Sequence, residues 1–164
     1  MDIFVTVGMG RWPFDRLIEA LRPLCQNHSL TVQSGTSKVI LPCTMLPFLS
    51  FTDFMTHLQD AQIIITHAGN SVRIAQRMGK VPIAMAREAR YKEMANDHQV
   101  KYLIEEAKTG LVVPLWDSNE LLNLVERHLE TQNKLLKERR LPSPARSEDV
   151  VNTMNRLCEK WIKK

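Results

Sequence analysis

The segment that most constrains this chain is Ile63-Ile64-Ile65. Three β-branched residues in a row cannot divide into an apolar and a polar face at a two-residue period. A strand here must therefore be covered on both sides. Strands of that kind belong to parallel sheets, whose crossover connections lay helices over each face.

The flanking patterns agree. Ile3–Val7 is a second compact apolar run, and apolar residues at 14, 17, 18, 21, 24 and 25 mark one face of a helix. Leu30–Val32 and Lys38–Leu41 are short strand candidates around Gly35, and a helix over 52–59 leads into the isoleucine run. Beyond it, the pattern predicts a helix over 71–78 stopped by Gly79, a strand over Pro82–Ala86 and a helix over 98–108 ending at Gly110. Leu111–Val113 is a further strand, and Asp117 or Ser118 caps a helix running to about Glu130. Repeated alternation at this spacing predicts an open α/β sheet, mostly parallel, with helices on both faces.

Charge divides the chain. Residues 1–133 carry 13 Lys and Arg against 14 Asp and Glu, a balance of −1, while residues 134–164 carry 9 against 4, a balance of +5. A nucleic-acid-binding core needs basic residues spread over the main domain, so no nucleic-acid partner is expected. The tail is left to contact an acidic partner or an anionic membrane surface. We divide the chain into a domain over 1–133 and a basic linker with a C-terminal amphipathic helix over 134–164. In that helix Val150, Val151, Met154, Leu157, Cys158, Trp161 and Ile162 share a stripe, which packs back on the domain or lies at an interface.

No stretch approaches the roughly 18 apolar residues of a membrane span, since Pro42 and Pro47 cut the most apolar segment. The N-terminus runs from Asp2 straight into a strand pattern, with no basic or long apolar leader, which predicts a cytosolic chain. Cys25, Cys43 and Cys158 form no C-x-x-C and are expected as reduced core residues.

Open α/β sheets bind ligands beyond the carboxyl ends of their strands. Two turns there stand out. In Thr6-Val7-Gly8-Met9-Gly10 the glycines permit a tight turn and close approach of a ligand, or merely shape the turn. It resembles a broken G-x-G-x-x-G, with Pro13 at the third glycine, and no acidic residue ends the second strand, so a nicotinamide cofactor is not expected. In His67-Ala68-Gly69-Asn70-Ser71 a buried strand passes through a small-residue turn into a helix N-terminus, whose free amides and dipole favour an anion such as a diphosphate. His67 alone is equally a satisfied structural histidine. A third feature is the long polar loop Arg87–Gln99, whose final His98-Gln99 pair can hydrogen-bond sugar hydroxyls, unless the loop is simply solvated surface. His28, His57 and His128 have no such setting, and no metal-ligand spacing is present.

Val5-Thr6-Val7-Gly8 followed by Pro13–Ile18, then Thr66-His67-Ala68-Gly69, then Gly79–Ile83, then Asp97-His98-Gln99 resemble, in order over about residues 1–130, the C-terminal domain of glycosyltransferase family 28. The likeness is to its stand-alone members, the catalytic subunit of the dolichol-linked N-acetylglucosamine transferase and exopolysaccharide subunits of the PssE type. It implies a Rossmann-like nucleotide-sugar domain, one half of a GT-B glycosyltransferase, and 164 residues are the length of one such half.

The same resemblance implies an inverting catalytic subunit that takes a sugar from a UDP-sugar donor, with no further cofactor and no metal. Its partner would be a membrane-anchored glycosyltransferase subunit that binds a lipid-linked, polyprenyl-diphosphate acceptor, which places the chain at the inner face of a membrane. Gly8 and the turn His67, Ala68, Gly69, Asn70 and Ser71 would face the uridine diphosphate, and His98 and Gln99 the donor sugar. Arg87 or Arg90 would offset diphosphate charge. Ser71, Val72 and Ala75 stand where many relatives have glycine, threonine and the glutamate assigned to the ribose, and Glu93 is the candidate substitute for that glutamate. The general base belongs beside the acceptor hydroxyl, where the partner can supply it. The alternative class is a non-catalytic nucleotide-sugar-binding or structural subunit of a polysaccharide assembly complex.

Overall fold

A computed structural model describes residues 1–138. Six strands form one sheet: β1 (Asp2–Thr6), β2 (Ser29–Gln33), β3 (Thr44–Leu46), β4 (Ile63–His67), β5 (Ile83–Met85) and β6 (Val113–Pro114). Their spatial order is β3-β2-β1-β4-β5-β6, and every neighbouring pair is parallel. The order reverses between β1 and β4, where Val5 pairs with Ile65 and Thr6 with Thr66.

Both faces of the sheet are covered. Ile3, Val5, Ile63, Ile65, Ile83 and Met85 point to one side, where they pack with Leu17 and Ile18 of helix α1 (Asp15–Ala20) and Leu121 and Val125 of helix α5 (Leu121–Glu138). Phe4 and Ile64 point to the other, against Leu58 of α2 (Phe51–Asp60) and Ala75 of α3 (Asn70–Arg77). Ala84 joins Val72 of α3 and Leu103 of α4 (His98–Ala107) on that second side. The isoleucine run thus sends Ile63 and Ile65 to one layer and Ile64 to the other, as a strand covered on both sides requires.

Several details differ from the sequence expectation, among them the sixth strand, expected over Leu111–Val113 and formed over Val113–Pro114. The strand expected over Lys38–Leu41 is not formed, and the edge strand is Thr44–Leu46 instead. The Lys38 amide is taken by Asp15 Oδ1 at 2.8 Å, Ser37 Oγ accepts from the Phe14 amide at 2.7 Å, and Pro42 has no amide to offer a ladder. The helix expected across 14–25 stops at Ala20 and continues as a 3₁₀ turn over Arg22–Gln26, because Pro23 cannot donate to the preceding turn. The last helix is described as far as Glu138, with no proline or glycine between Thr131 and Glu138 to break it. The amphipathic stripe expected from Ser147 lies outside the described residues. No helix among the described residues is long and apolar enough to cross a membrane. Cys25 and Cys43 are free thiols, and burial pushes Cys43 up to about 11.

Helix α5 carries His128 into the core, fully buried, with neither ring nitrogen hydrogen-bonded among the described residues. Burial pushes its pKa down from 6.5 to about 4, against a weaker opposing pull from the Val81 backbone, which lies near the ring without a well-formed hydrogen bond. A depressed histidine contributes stability that is whole above the unfolded value and is lost as pH falls through the folded one. Denaturant unfolding measured between pH 7 and pH 4 should therefore show stability falling with acid, and His128→Leu should remove about 3 kcal/mol of that fall. An unchanged pH slope in the variant would show that His128 is not held neutral.

Candidate functional site

At the point where the strand order reverses, the loops after β1 and β4 diverge and leave a cleft of about 350 Å³. Its floor is polar and its wall apolar. Thr6, Gln33, His67, Asn70 and Ser71 supply the floor, while Leu49, Phe51, Phe54 and Ile74 supply the wall between α2 and α3. No Lys, Arg, Asp or Glu of the described residues lines it.

The floor arises because the three central strands each finish an apolar run with a polar residue in the same register. Thr6 pairs with Gln33 on one side and Thr66 on the other. These side chains bond one another: Thr6 Oγ1 donates to Gln33 Oε1 and accepts from the Gly8 amide at 3.2 Å, and Thr66 Oγ1 donates to the Thr6 carbonyl at 3.0 Å. Ser71 Oγ lies 2.6 Å from Thr66 Oγ1 and 3.5 Å from His67 Nδ1.

His67 sits between two glycines, and its ring explains both. A Cβ on Gly8 would come within 2.8 Å of His67 Cε1, and a Cβ on Gly69 would collide with Nε2. Gly8 also has φ +79°, a left-handed backbone that favours glycine, whereas Gly69 at φ −149° is ordinary extended chain. The space expected for a ligand at Gly69 is thus filled by the imidazole. Burial first, and then the Arg87 guanidinium, push His67 down to about 4, against the opposing pull of the Thr6 backbone. The ring is neutral at pH 7.

The remaining turn residues open helix α3. The Ala68 amide continues the ladder to the Met85 carbonyl at 3.0 Å, and the Val72 amide bonds the Gly69 carbonyl at 3.0 Å. Asn70 and Ser71 start the helix, so their amides have no preceding turn to bond, and both residues line the cleft. Ala75, at the position of the relatives' glutamate, is fully buried against Phe4, Leu58 and Ile64.

The polar loop residues lie elsewhere. Arg87 is buried, donating to the Val7 carbonyl at 2.8 Å and the Trp12 carbonyl at 3.1 Å with its guanidinium 4.8 Å from the Phe14 ring centre. It clamps the loop after β1 to the end of β5. Gln99 is buried and accepts from the Arg87 amide at 3.1 Å. Glu93 is buried and takes a two-pronged bond from Arg16, at 3.0 and 2.8 Å, and the Glu88 amide at 3.1 Å. Arg90 is exposed and paired with Glu88 at 2.7 Å, and exposed His98 rests on Asn96. The cleft therefore gathers Gly8, His67, Asn70 and Ser71, with Ala68 and Gly69 in its turn, while Arg87, Arg90, Glu93, His98 and Gln99 shape or decorate the β5–α4 loop.

Sequence reasoning missed Thr6, Gln33 and Thr66 as floor residues, although a polar residue ending each of three apolar runs is a legible signal. It also missed Arg16, whose guanidinium lies 4.6 Å from the Tyr91 ring centre as it holds Glu93.

No family model matches the sequence, and no curated protein matches it. Solved structures do resemble the fold. MurG of Acinetobacter baumannii superposes with a TM-score of 0.68 at 20% identity, over 95% of this chain and 49% of that one. The calicheamicin glycosyltransferase CalG4 gives 0.58 at 16% identity, over 95% of this chain and 44% of that one. The spinosyn forosaminyltransferase SpnP gives 0.54 at 14% identity, over 96% and 44%. The chain has the Rossmann-like α/β fold of one half of the GT-B glycosyltransferases, and it spans about half the length of the structures it matches.

Two substitutions test the geometry. Gly69→Ala should push the imidazole out of its slot, so that His67 titrates near 6.5 by NMR instead of about 4, with backbone φ unstrained. A titration still near 4 would mean the ring is not seated against Gly69. Arg16→Ala should cost about 3 kcal/mol in denaturant unfolding, because it strands the buried Glu93 carboxylate. A loss below about 1 kcal/mol would reduce the pair to an ordinary surface contact.

Proposed function

We propose that the chain is the donor-binding catalytic subunit of a two-component inverting glycosyltransferase. In this reading it takes a UDP-sugar and, with a membrane-anchored partner subunit, delivers the sugar to a polyprenyl-diphosphate-linked acceptor at the inner face of the membrane. The observation that carries the reading is the cleft at the strand-order reversal, with a glycine turn on one side and a helix N-terminus on the other, within a half-GT-B fold.

The chemistry follows from the parts. The base and ribose lie along the apolar wall of Leu49, Phe51, Phe54 and Ile74, and the diphosphate lies at the Asn70 and Ser71 amides, where the α3 dipole favours negative charge. An acceptor hydroxyl attacks the anomeric carbon from the face opposite the diphosphate and loses its proton to a base beside it. The carbon–oxygen bond to the diphosphate breaks, and the helix N-terminus stabilises the charge left on the departing UDP. The partner supplies the other wall of the cleft, which positions the acceptor and excludes water. The basic tail, net +5 over 134–164, favours an acidic partner face or an anionic leaflet.

The buried Ala75 favours a second reading, a nucleotide-sugar-binding subunit without turnover, because no carboxylate from that turn reaches a ribose. Two measurements separate the readings. UDP should raise the thermal midpoint of the isolated chain by mass action. Sugar transfer to a lipid-linked acceptor should appear only on addition of the membrane partner. Binding without transfer by the reconstituted pair would favour the accessory reading, and transfer by the chain alone would refute the two-component one.

A further inference from the structure

The hydrogen bonds beneath His67 have a determined direction. The Thr6 carbonyl can only accept, so the hydrogen in its bond with Thr66 Oγ1 comes from Thr66. A hydroxyl has one hydrogen, so in the 2.6 Å contact between Thr66 and Ser71 the donor is Ser71. Ser71 has then spent its hydrogen, and toward His67 Nδ1 at 3.5 Å it can only accept. Nδ1 thus faces an acceptor, which favours the imidazole proton there, and the Thr6 backbone is a second acceptor for the ring. The opposite nitrogen, Nε2, lies at the ring edge flanked by Gly8 and Gly69.

We infer that Ser71 is a positioning residue that fixes His67 as the Nδ1–H tautomer, so that Nε2 meets the ligand as a bare acceptor and contacts a hydroxyl rather than a phosphate oxygen. Phosphate oxygens have no hydrogen to give a neutral Nε2, and protonating the ring to reach them is opposed by its burial and by Arg87 at the end of β5. The other elements around the ring bring no charge to the cleft: β1 and its loop give Thr6, Gly8 and Met9, and α3 gives Asn70, Ser71 and Ile74. The anionic part of the ligand is left to the α3 amides, and His67 reads a sugar or ribose hydroxyl beside it. The identity of that ligand rests on the proposed function, whereas the tautomer does not.

The tautomer is read on the ligand-free chain by long-range proton–nitrogen correlation of ¹⁵N-histidine, with His67→Gln used to assign the signal. The Nδ1–H form should dominate by about tenfold, equivalent to about 1.4 kcal/mol. Ser71→Ala, a small helix-favouring change, should bring the Nε2–H form to at least equal population, and Ser71→Thr should restore the original state. A dominant Nε2–H form in the unaltered chain, or the same tautomer in Ser71→Ala, would overturn the assignment.

The ligand half is read by calorimetry with UDP-glucose at pH 6 in two buffers of different ionisation enthalpy. UDP-glucose has no phosphate that titrates there, so the expected proton uptake is near zero. Uptake approaching one proton per ligand, lost in His67→Gln, or a switch of His67 to the Nε2–H form when UDP-glucose is bound, would place a phosphate on Nε2 and refute the inference. Absence of any binding heat, with the Nδ1–H tautomer observed, would count against the nucleotide-sugar reading and leave Ser71's role standing.

Discussion

Strands β1 and β4 lie side by side at the centre of the sheet, and helices cover them above and below. Ile3, Val5, Ile63 and Ile65 fill one layer, and Phe4 and Ile64 fill the other, all nearly or fully inaccessible to water. Burying a polar group in either layer without a partner would cost on the order of 1–3 kcal/mol. The strand faces are thus closed to chemistry. Polar side chains can be placed only where the strands end, and this chain places them there in register, as Thr6, Gln33 and Thr66.

That row has a structural duty before any functional one. Each hydroxyl or amide in it is bonded to its neighbour, which is how a polar layer survives directly above an isoleucine layer. The consequence reaches His67 through Ser71. A ring held between two missing Cβ positions, with one nitrogen committed below and the other open, is fixed more tightly than a surface histidine, and the rigidity comes from the same burial that keeps it neutral.

Much of the fold was legible because its signals are local. The isoleucine run, the glycines at 79 and 110 and the capping residue at 117 each mark an element that the structure contains. The edge of the sheet was not, because whether Lys38–Leu41 or Thr44–Leu46 pairs with β2 depends on which backbone donors α1 has already claimed. In the candidate site, the turn from His67 to Ser71 was legible from its small residues before a helix. The fates of Arg87, Glu93 and Gln99 were not, since their partners Val7, Arg16 and the Arg87 amide are set by long-range packing or by the fold of the loop itself. A polar side chain in a loop at the right end of a sheet reads the same in sequence whether it faces a ligand or braces the loop.

The bracing has its own bearing on the cleft. Arg87 and Glu93 are both spent on internal contacts, and the cleft is lined by dipoles and apolar surface alone among the described residues. Under the proposed function, such a site holds the diphosphate through backbone amides oriented before the ligand arrives, with no charged side chain to desolvate or rearrange. It also leaves the ligand's charge less fully offset than a lysine or arginine would. Under the proposed function the partner subunit supplies the facing wall, and Met9, Phe48 and Phe51 are exposed apolar residues that such a wall could cover.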